Sequence, residues 1–245
     1  MREAGRSVAM ALDAVERALA PGVSTAELDQ IAEETIRSRG AVPSFKGFPG
    51  GAGRQDFPAT ICASVNAELV HGIPREDAVL QNGDILSVDV GAIFEGWHGD
   101  AARTFAVGTV TSEAEQLLEA TKGALEAGIE ASRSGHYVSD VSRAIQAHVD
   151  GSGFSIVREY TGHGIGRAMH EPPQILNYHE SAMDKGSVLR PGMTMALEPM
   201  VNAGTWRTRV LADGWTVVPA DGRLSAHFEN TIVVTEDRAE ILTAL

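Results

Sequence analysis

Six side chains define the chemistry open to this sequence: His71, Asp89, Asp100, His163, Glu198 and Glu229. They come in a repeated order. His71 in "VHGIP" is followed by Asp89 in "ILSVDV" and Asp100 in "GDAARTF"; His163 in "YTGHGIGRAMHEPP" is followed by Glu198 in "GMTMALE" and Glu229 in "HFENTIVV". Gly83 and Gly192 each stand six positions before the first acid of their round. Side chains on a strand alternate between faces. Asp89 therefore shares a face with Ser87, opposite Leu86, Val88 and Val90, and Glu198 shares one with Thr194 and Ala196, opposite Met193, Met195 and Leu197. A lone carboxylate on so apolar a strand is costly to bury, and any one of the four, taken singly, reads as half of a salt bridge. Four on comparable strands, each pair behind a histidine, read as a cluster of like charge that needs cations, which divalent metals supply compactly.

The donor set narrows the metal. Carboxylates with one imidazole suit manganese, iron, cobalt or zinc better than a thiolate site would. Five ligands (Asp89, Asp100, His163, Glu198 and Glu229) can hold two ions about 3.5–4 Å apart with a shared water of lowered pKa beside a polarised carbonyl. The reaction expected is hydrolysis of an amide or ester. His170, seven residues beyond His163, is left to meet the substrate carbonyl. His71, without a metal in this scheme, is left to donate a proton or orient substrate. The glycines around His163 are expected to let the backbone pass close to metal and substrate. His98, His136, His148, His179 and His227 are read as structural.

The elements that must carry these residues also repeat. Val8, Leu12, Val15 and Leu19 recur at helical spacing, and Pro21-Gly22 stops that helix. Ser24 with Glu27 is a capping-box pattern for a second helix bearing Leu28, Ile31 and Ile36. Strand-like runs follow: "ATICASV", "DILSVDVGAIF" and "AARTFAVGTV". The order then restarts, with a capping box at Ser112 and Glu115, a helix through Leu118, Leu125 and Ile129, another through Val141, Ile145 and Val149, and the strands "FSIVREY", "GMTMALEPMV", "WTVVPA" and "HFENTIVVT". No linker interrupts the two rounds. One domain is expected over residues 1–245, in two pseudo-symmetric halves of residues 1–110 and 111–245, with the site where they meet.

The bulk numbers exclude other classes. A net charge of −13 repels phosphate backbones and anionic lipid, so neither nucleic acid nor membrane is expected as a partner. With 43% apolar residues the 245-residue chain can build a substantial core. No signal peptide is expected, because no apolar run follows the basic residues of "MREAGRSVAM". The single cysteine, Cys62, cannot form an internal disulfide and fits a reducing cytoplasm.

The motifs "VHGIP", "SVDVG", "HGDAARTF", "GHGIGRAMHEPP", "MALEPM" and "SAHFENTIVVT", in this order, resemble the set of the type I methionine aminopeptidases. The resemblance runs from "MREAG" to "NTIVVT". It implies the α+β pita-bread fold, two helix-helix-strand halves with a curved, mainly antiparallel sheet and helices on its outer face. It implies two divalent ions (cobalt, manganese, iron or zinc) and removal of the N-terminal methionine from nascent polypeptides, by a cytoplasmic monomer working near the ribosome. Asp89 would bind one metal, Asp100 and Glu229 would bridge both, and His163 and Glu198 would complete the other. Glu198 would also carry the proton, and His71 and His170 would stabilise the tetrahedral intermediate. Phe57, Cys62, Met169 and Trp215 would line the methionine pocket.

The chain departs from the family pattern at three places. Asn66-Ala67 stands where Asn-Glu is usual, and Met169 where phenylalanine is common. The Gly-rich run "PGGAGRQD" between Phe48 and Phe57 exceeds the family spacing and leaves open whether Phe48 lines the pocket; it reads as an exposed loop with no regular element, either at the mouth of the pocket or a mere spacer. Two rival readings remain, a pita-bread peptidase cleaving before proline and a pita-bread module that only binds protein. The second would have lost its ligands, whereas this chain has all five.

Overall fold

A computed structural model of the chain describes residues 1–51, 53–179 and 185–245; Ala52, within the Gly-rich run, lies outside them. The elements follow the double order read from the sequence. Helices α1 (Arg2–Ala18) and α2 (Thr25–Ser38) precede strands β1 (Val42–Pro43), β2 (Ile61–Val65), β3 (Ile85–Phe94) and β4 (Trp97–Ala106). Helices α3 (Ser112–Ala131) and α4 (Val138–Asp150) precede β5 (Ser155–Ile156), β6 (Gly162–Gly164), β7 (Glu171–Ile175), β8 (Thr194–Leu197) and β9 (Met200–Asn202). The chain ends with β10 (Thr208–Val210), β11 (Val217–Pro219), β12 (Ser225–His227), β13 (Asn230–Val234) and β14 (Ala239–Ile241). Among the described residues no helix is long and apolar enough to cross a membrane.

Each helix pair covers its own strands. Val8, Leu12 and Val15 of α1 and Leu28 and Ile36 of α2 are fully buried against Leu86, Val88 and Val90 of β3. Val141, Ile145 and Val149 of α4 and Leu117, Ala124 and Leu125 of α3 meet Met195 and Leu197 of β8 and Ile232 and Val234 of β13. The α2 cap is the expected box: Ser24 Oγ accepts from Glu27 N at 3.2 Å, and Ser24 N donates to Glu27 Oε2 at 2.8 Å. At α3 the cap differs from the sequence reading. Thr111, one residue earlier, accepts from Ala114 N at 3.2 Å. Glu115 therefore falls one place too late to close a box, since that interaction needs the third helical residue.

Two long runs also differ from their continuous reading. "GMTMALEPMV" breaks into β8 and β9 around Glu198-Pro199, and "HFENTIVVT" into β12 and β13 around Phe228-Glu229. Both acids of the second round thus sit at strand breaks. β8 pairs with β13 and β6, while β9 turns away to pair with β12 and β5.

β3 pairs along its full length with β4, and β4 meets the chain around Glu229. Ala102 and Glu229 exchange two backbone hydrogen bonds, of 3.3 and 2.8 Å. On either side lies a matching threonine clamp. Asp100 N donates to Thr231 Oγ1 at 2.9 Å, and that hydroxyl donates back to Asp100 O at 2.8 Å. His227 N donates to Thr104 Oγ1 at 2.9 Å, and that hydroxyl donates back to His227 O at 2.8 Å. Asp100 thus corresponds, across this joint, to His227 and not to Glu229. All four residues are buried.

Thr231→Val keeps the side-chain shape and removes the hydroxyl, leaving a buried amide and carbonyl without partners. The expected loss is about 1–3 kcal/mol, read as a lower urea midpoint at unchanged m-value. An unchanged midpoint would show that the clamp carries no weight.

Candidate metal centre and apolar pocket

All eleven residues singled out from the sequence line one cavity of about 160 Å³. Asp89, Asp100, His163, Glu198 and Glu229 meet there with His71, His170, Phe57, Cys62, Met169 and Trp215; Phe45 and Phe48 complete the lining. Strand alternation puts Asp89 there: Val88 and Val90 face the helices, so Asp89 faces the cavity. Asp100 is held by its Thr231 clamp. Glu198 leaves the sheet where β8 ends, its own carbonyl oxygen held by Asn177 Nδ2 at 3.0 Å. Glu229 is fixed by its backbone pairing with Ala102.

His163 sits on the short strand β6 between β7 and β8. Its glycines do something other than expected. A Cβ at Gly162 would lie 2.5 Å from the Ala196 carbonyl oxygen, and one at Gly164 would strike that of Pro172. Glycine here lets three backbones close up, and His163 is carried to the cavity as a consequence. The earlier "HG" follows the same rule, for a Cβ at Gly72 would meet the Ala63 carbonyl oxygen at 2.5 Å. His71 itself has φ 59°, a left-handed conformation uncommon for a residue with a side chain.

The electrostatics are lopsided. Among the described residues no lysine or arginine pairs with any of the four acids; only histidines approach, with His163 Nε2 3.5 Å from Glu198 Oε1 and 3.9 Å from Asp100 Oδ2. Asp89 Oδ1, Asp100 Oδ1 and Glu229 Oε1 are buried without a hydrogen-bond partner. Burial pushes the Asp89 carboxyl up to about 7, a hydrogen bond with Asp100 acting the other way. Burial, then the charges of Glu229 and Asp89, raise Asp100 well above the usual carboxylate range. Glu198 is raised by burial and by Asp100 and Asp89, and Glu229 by burial and by Glu198 and Asp89.

Burial also brings His163 down to about 4, and its Nδ1 lies 2.9 Å from the Gly164 carbonyl oxygen. That acceptor assigns the proton to Nδ1. Nε2 therefore presents a lone pair towards two carboxylates that are themselves acceptors. One donor atom each of Asp100, His163 and Glu229 lies within 4.8 Å of the others. Converging lone pairs, buried and without a donor, are what a divalent cation satisfies. The residues present fit such an ion.

Burial also lowers the two other cavity histidines, His71 and His170. His71 is held at about 4, and its ring meets Tyr160 and Trp215 edge-on at 5.9 and 6.3 Å. His170 is lowered by burial, and its ring meets His163 and Phe48 edge-on at 4.4 and 5.6 Å. The Cys62 thiol is pushed well up by burial and by the nearby carboxylates, so it serves as an apolar wall and not as a nucleophile. The sequence reading left Phe48 undecided and omitted Phe45. It also classed His227 as structural, yet this imidazole is 1% exposed, reaches to about 3 through burial, and leaves both ring nitrogens without a partner. It stands two residues before Glu229, a spacing that could have exposed it.

The Gly-rich run is exposed and without helix or strand in its described residues. Its base is closed by backbone bonds, Gly47 N to Phe57 O at 2.8 Å and Phe57 N to Phe48 O at 2.9 Å. Trp215 Nε1 donates to Gln55 O at 3.0 Å, and the indole meets Phe57 edge-on at 5.2 Å. The loop thus holds a wall of the pocket.

A mostly antiparallel sheet wrapped by two helix pairs, with buried acids at its centre, is the architecture of the pita-bread metallopeptidases, and the family comparison agrees. Residues 1–236 match metallopeptidase family M24, and the chain belongs to that family. Within it, the chain is 50% identical over 243 residues to methionine aminopeptidase 1 of Bacillus subtilis, covering 99% of this chain and 94% of that protein. It superposes on the crystal structure of a Thermotoga maritima methionine aminopeptidase with a TM-score of 0.94 at 44% identity, covering 100% of this chain and 95% of that one. A prolidase from Pyrococcus furiosus shares the fold at a TM-score of 0.76 and 21% identity, and the match spans 63% of that longer chain.

The shifts predict a pH dependence with opposing parts. Carboxylates raised in the folded state bind protons that the unfolded chain, with pKa values near 4, has released. Their effect is lost stability as pH rises from that range through about 7. Histidines held neutral act the other way, but only below their unfolded pKa of about 6.5. Above that value the carboxylates act alone. Metal-free protein should be less stable at pH 8 than at pH 6.5, and saturating Mn²⁺ should remove the difference. Urea midpoints at both pH values check this; equal midpoints without metal would contradict it.

Proposed function

We propose that this chain is a methionyl aminopeptidase, a metal-dependent hydrolase that removes the N-terminal methionine from peptides and nascent proteins when the second residue is small. The supporting observation is the junction, in one cavity of about 160 Å³, of five metal-ligand side chains unpaired with any lysine or arginine among the described residues and an apolar wall. High identity to methionine aminopeptidases over nearly the whole length supports the same reading.

In this proposal Asp89, Asp100, His163, Glu198 and Glu229 hold two divalent ions, cobalt, manganese, iron or zinc. Bound there, the ions would supply Lewis-acid polarisation of the scissile carbonyl and an acidified water. Glu198 would take the proton of that water and deliver it to the departing amine. His71 and His170, both lining the cavity and both lowered by burial, donate N–H groups to the substrate carbonyl and its tetrahedral successor. Phe57, Cys62, Met169 and Trp215, with Phe45 and Phe48, enclose the methionine side chain. Crowding by the histidines leaves little room for the second residue. The enzyme is proposed to act as one catalytic domain with two pseudo-repeat halves, residues 1–110 and 111–245, as a cytoplasmic monomer near the ribosome.

Metal-reconstituted protein should release methionine from Met-Ala-Ser and far less from Met-Lys-Ser. Cleavage of Ala-Pro peptides in preference would transfer the assignment to the proline-directed enzymes, and no hydrolysis of any would leave a binding module. His71→Ala should lower kcat by about 10²-fold at unchanged metal content. Loss of metal in that variant would place His71 among the ligands.

A further inference from the structure

The hydrolytic scheme leaves one buried imidazole without a part. His227 has its backbone fixed on both sides by the Thr104 hydroxyl, so its ring has little freedom to seek a partner elsewhere. That ring is 1% exposed, and neither nitrogen is hydrogen-bonded. Its Nε2 lies 4.0 Å from Glu198 Oε2 and 3.9 Å from Glu229 Oε2. Both acids line the cavity and His227 does not, so it stands behind them.

Glu198 is therefore bracketed by two imidazoles. Oε1 lies 3.5 Å from His163 Nε2, and Oε2 faces His227. The two imidazoles are not equivalent. His163 spends its N–H on the Gly164 carbonyl and turns a lone pair to the acids. His227 has both nitrogens free, and two carboxylate oxygens converge on Nε2, which favours the tautomer that carries a proton there. The gap is too long for a direct hydrogen bond, and an inward shift of about 1 Å would close it. An imidazole left unsatisfied at this depth is destabilising. The register agrees, because His227 occupies in its clamp the place that Asp100 occupies in the other.

We propose that His227 is a positioning residue: its Nε2–H is shared between Oε2 of Glu198 and Oε2 of Glu229, and it holds the Glu198 carboxylate with Oε1 turned towards His163 and the cavity. The inference rests on the hydrolytic reading above. Groups that hold metal-binding side chains from behind typically govern affinity or activity by about 10–100-fold.

The test compares His227→Gln, which keeps an N–H at similar reach, with His227→Leu and His227→Met, which keep bulk without that donor; two such variants guard against one failing to fold. Calorimetry on metal-free protein gives the Mn²⁺ affinity, and Met-Ala-Ser hydrolysis gives kcat and KM. The leucine and methionine variants should bind Mn²⁺ about 10–100-fold more weakly and lose kcat on a similar scale, with KM little changed. The glutamine variant should recover most of both. Wild-type affinity and kcat in the leucine or methionine variant would overturn the proposal, as would a glutamine variant as impaired as they are. A wild type that binds Mn²⁺ yet releases no methionine would overturn the substrate reading alone, and the affinity ratios would still judge His227.

Discussion

Four carboxylates share one buried cavity without a lysine or arginine among the described residues to pair with them. Burying one such charge costs several kcal/mol even after relaxation, and each further acid adds repulsion. The protein side of this arrangement is rigid. Asp100 and Glu229 are fixed through their own backbones, by the Thr231 clamp and the pairing with Ala102, and both side chains are buried. The fold accepts a local destabilisation that a ligand of opposite charge reverses.

The remaining architecture follows from holding these acids apart from solvent and close to each other. The helix pairs supply two apolar cores, one under each set of strands. The strands turn their other face to the joint, and the joint brings residues from distant parts of the chain into register. The glycines at positions 162, 164 and 72 let backbones approach until His163 and His71 reach the same cavity. Beside this polar centre the aromatic wall of Phe45, Phe48, Phe57 and Trp215 makes an apolar compartment. Polar chemistry and apolar recognition are thus adjacent, as cleavage next to an apolar side chain requires.

Much of this was legible in the residues. Alternation alone oriented Asp89, because β3 is a long regular strand. It was less informative at Glu198 and Glu229, since both stand where strands break and the register restarts; their order and spacing carried the inference there. The match of Asp100 to Glu229 was out by two positions, because the threonine clamps that set the register are visible only when the strands meet. The glycines were recognised as places of close approach, but the approaching group proved to be neighbouring carbonyls. His227 was read as a lone structural histidine, although its place two residues before Glu229 puts it on the same side of an extended run as that acid. The Gly-rich insertion obscured Phe48, whose place depends on the backbone bonds that close the loop base.

The cavity as a holder of divalent cations is what the rest of the site depends on. Counting Mn²⁺ bound per chain by native mass spectrometry, on chelator-stripped protein and on the Asp100→Asn/Glu229→Gln double variant, tests it most directly. The expected result is two ions on the wild-type chain and a loss of occupancy in the double variant. No specific binding by the wild type, or full occupancy without those two carboxylates, would contradict it.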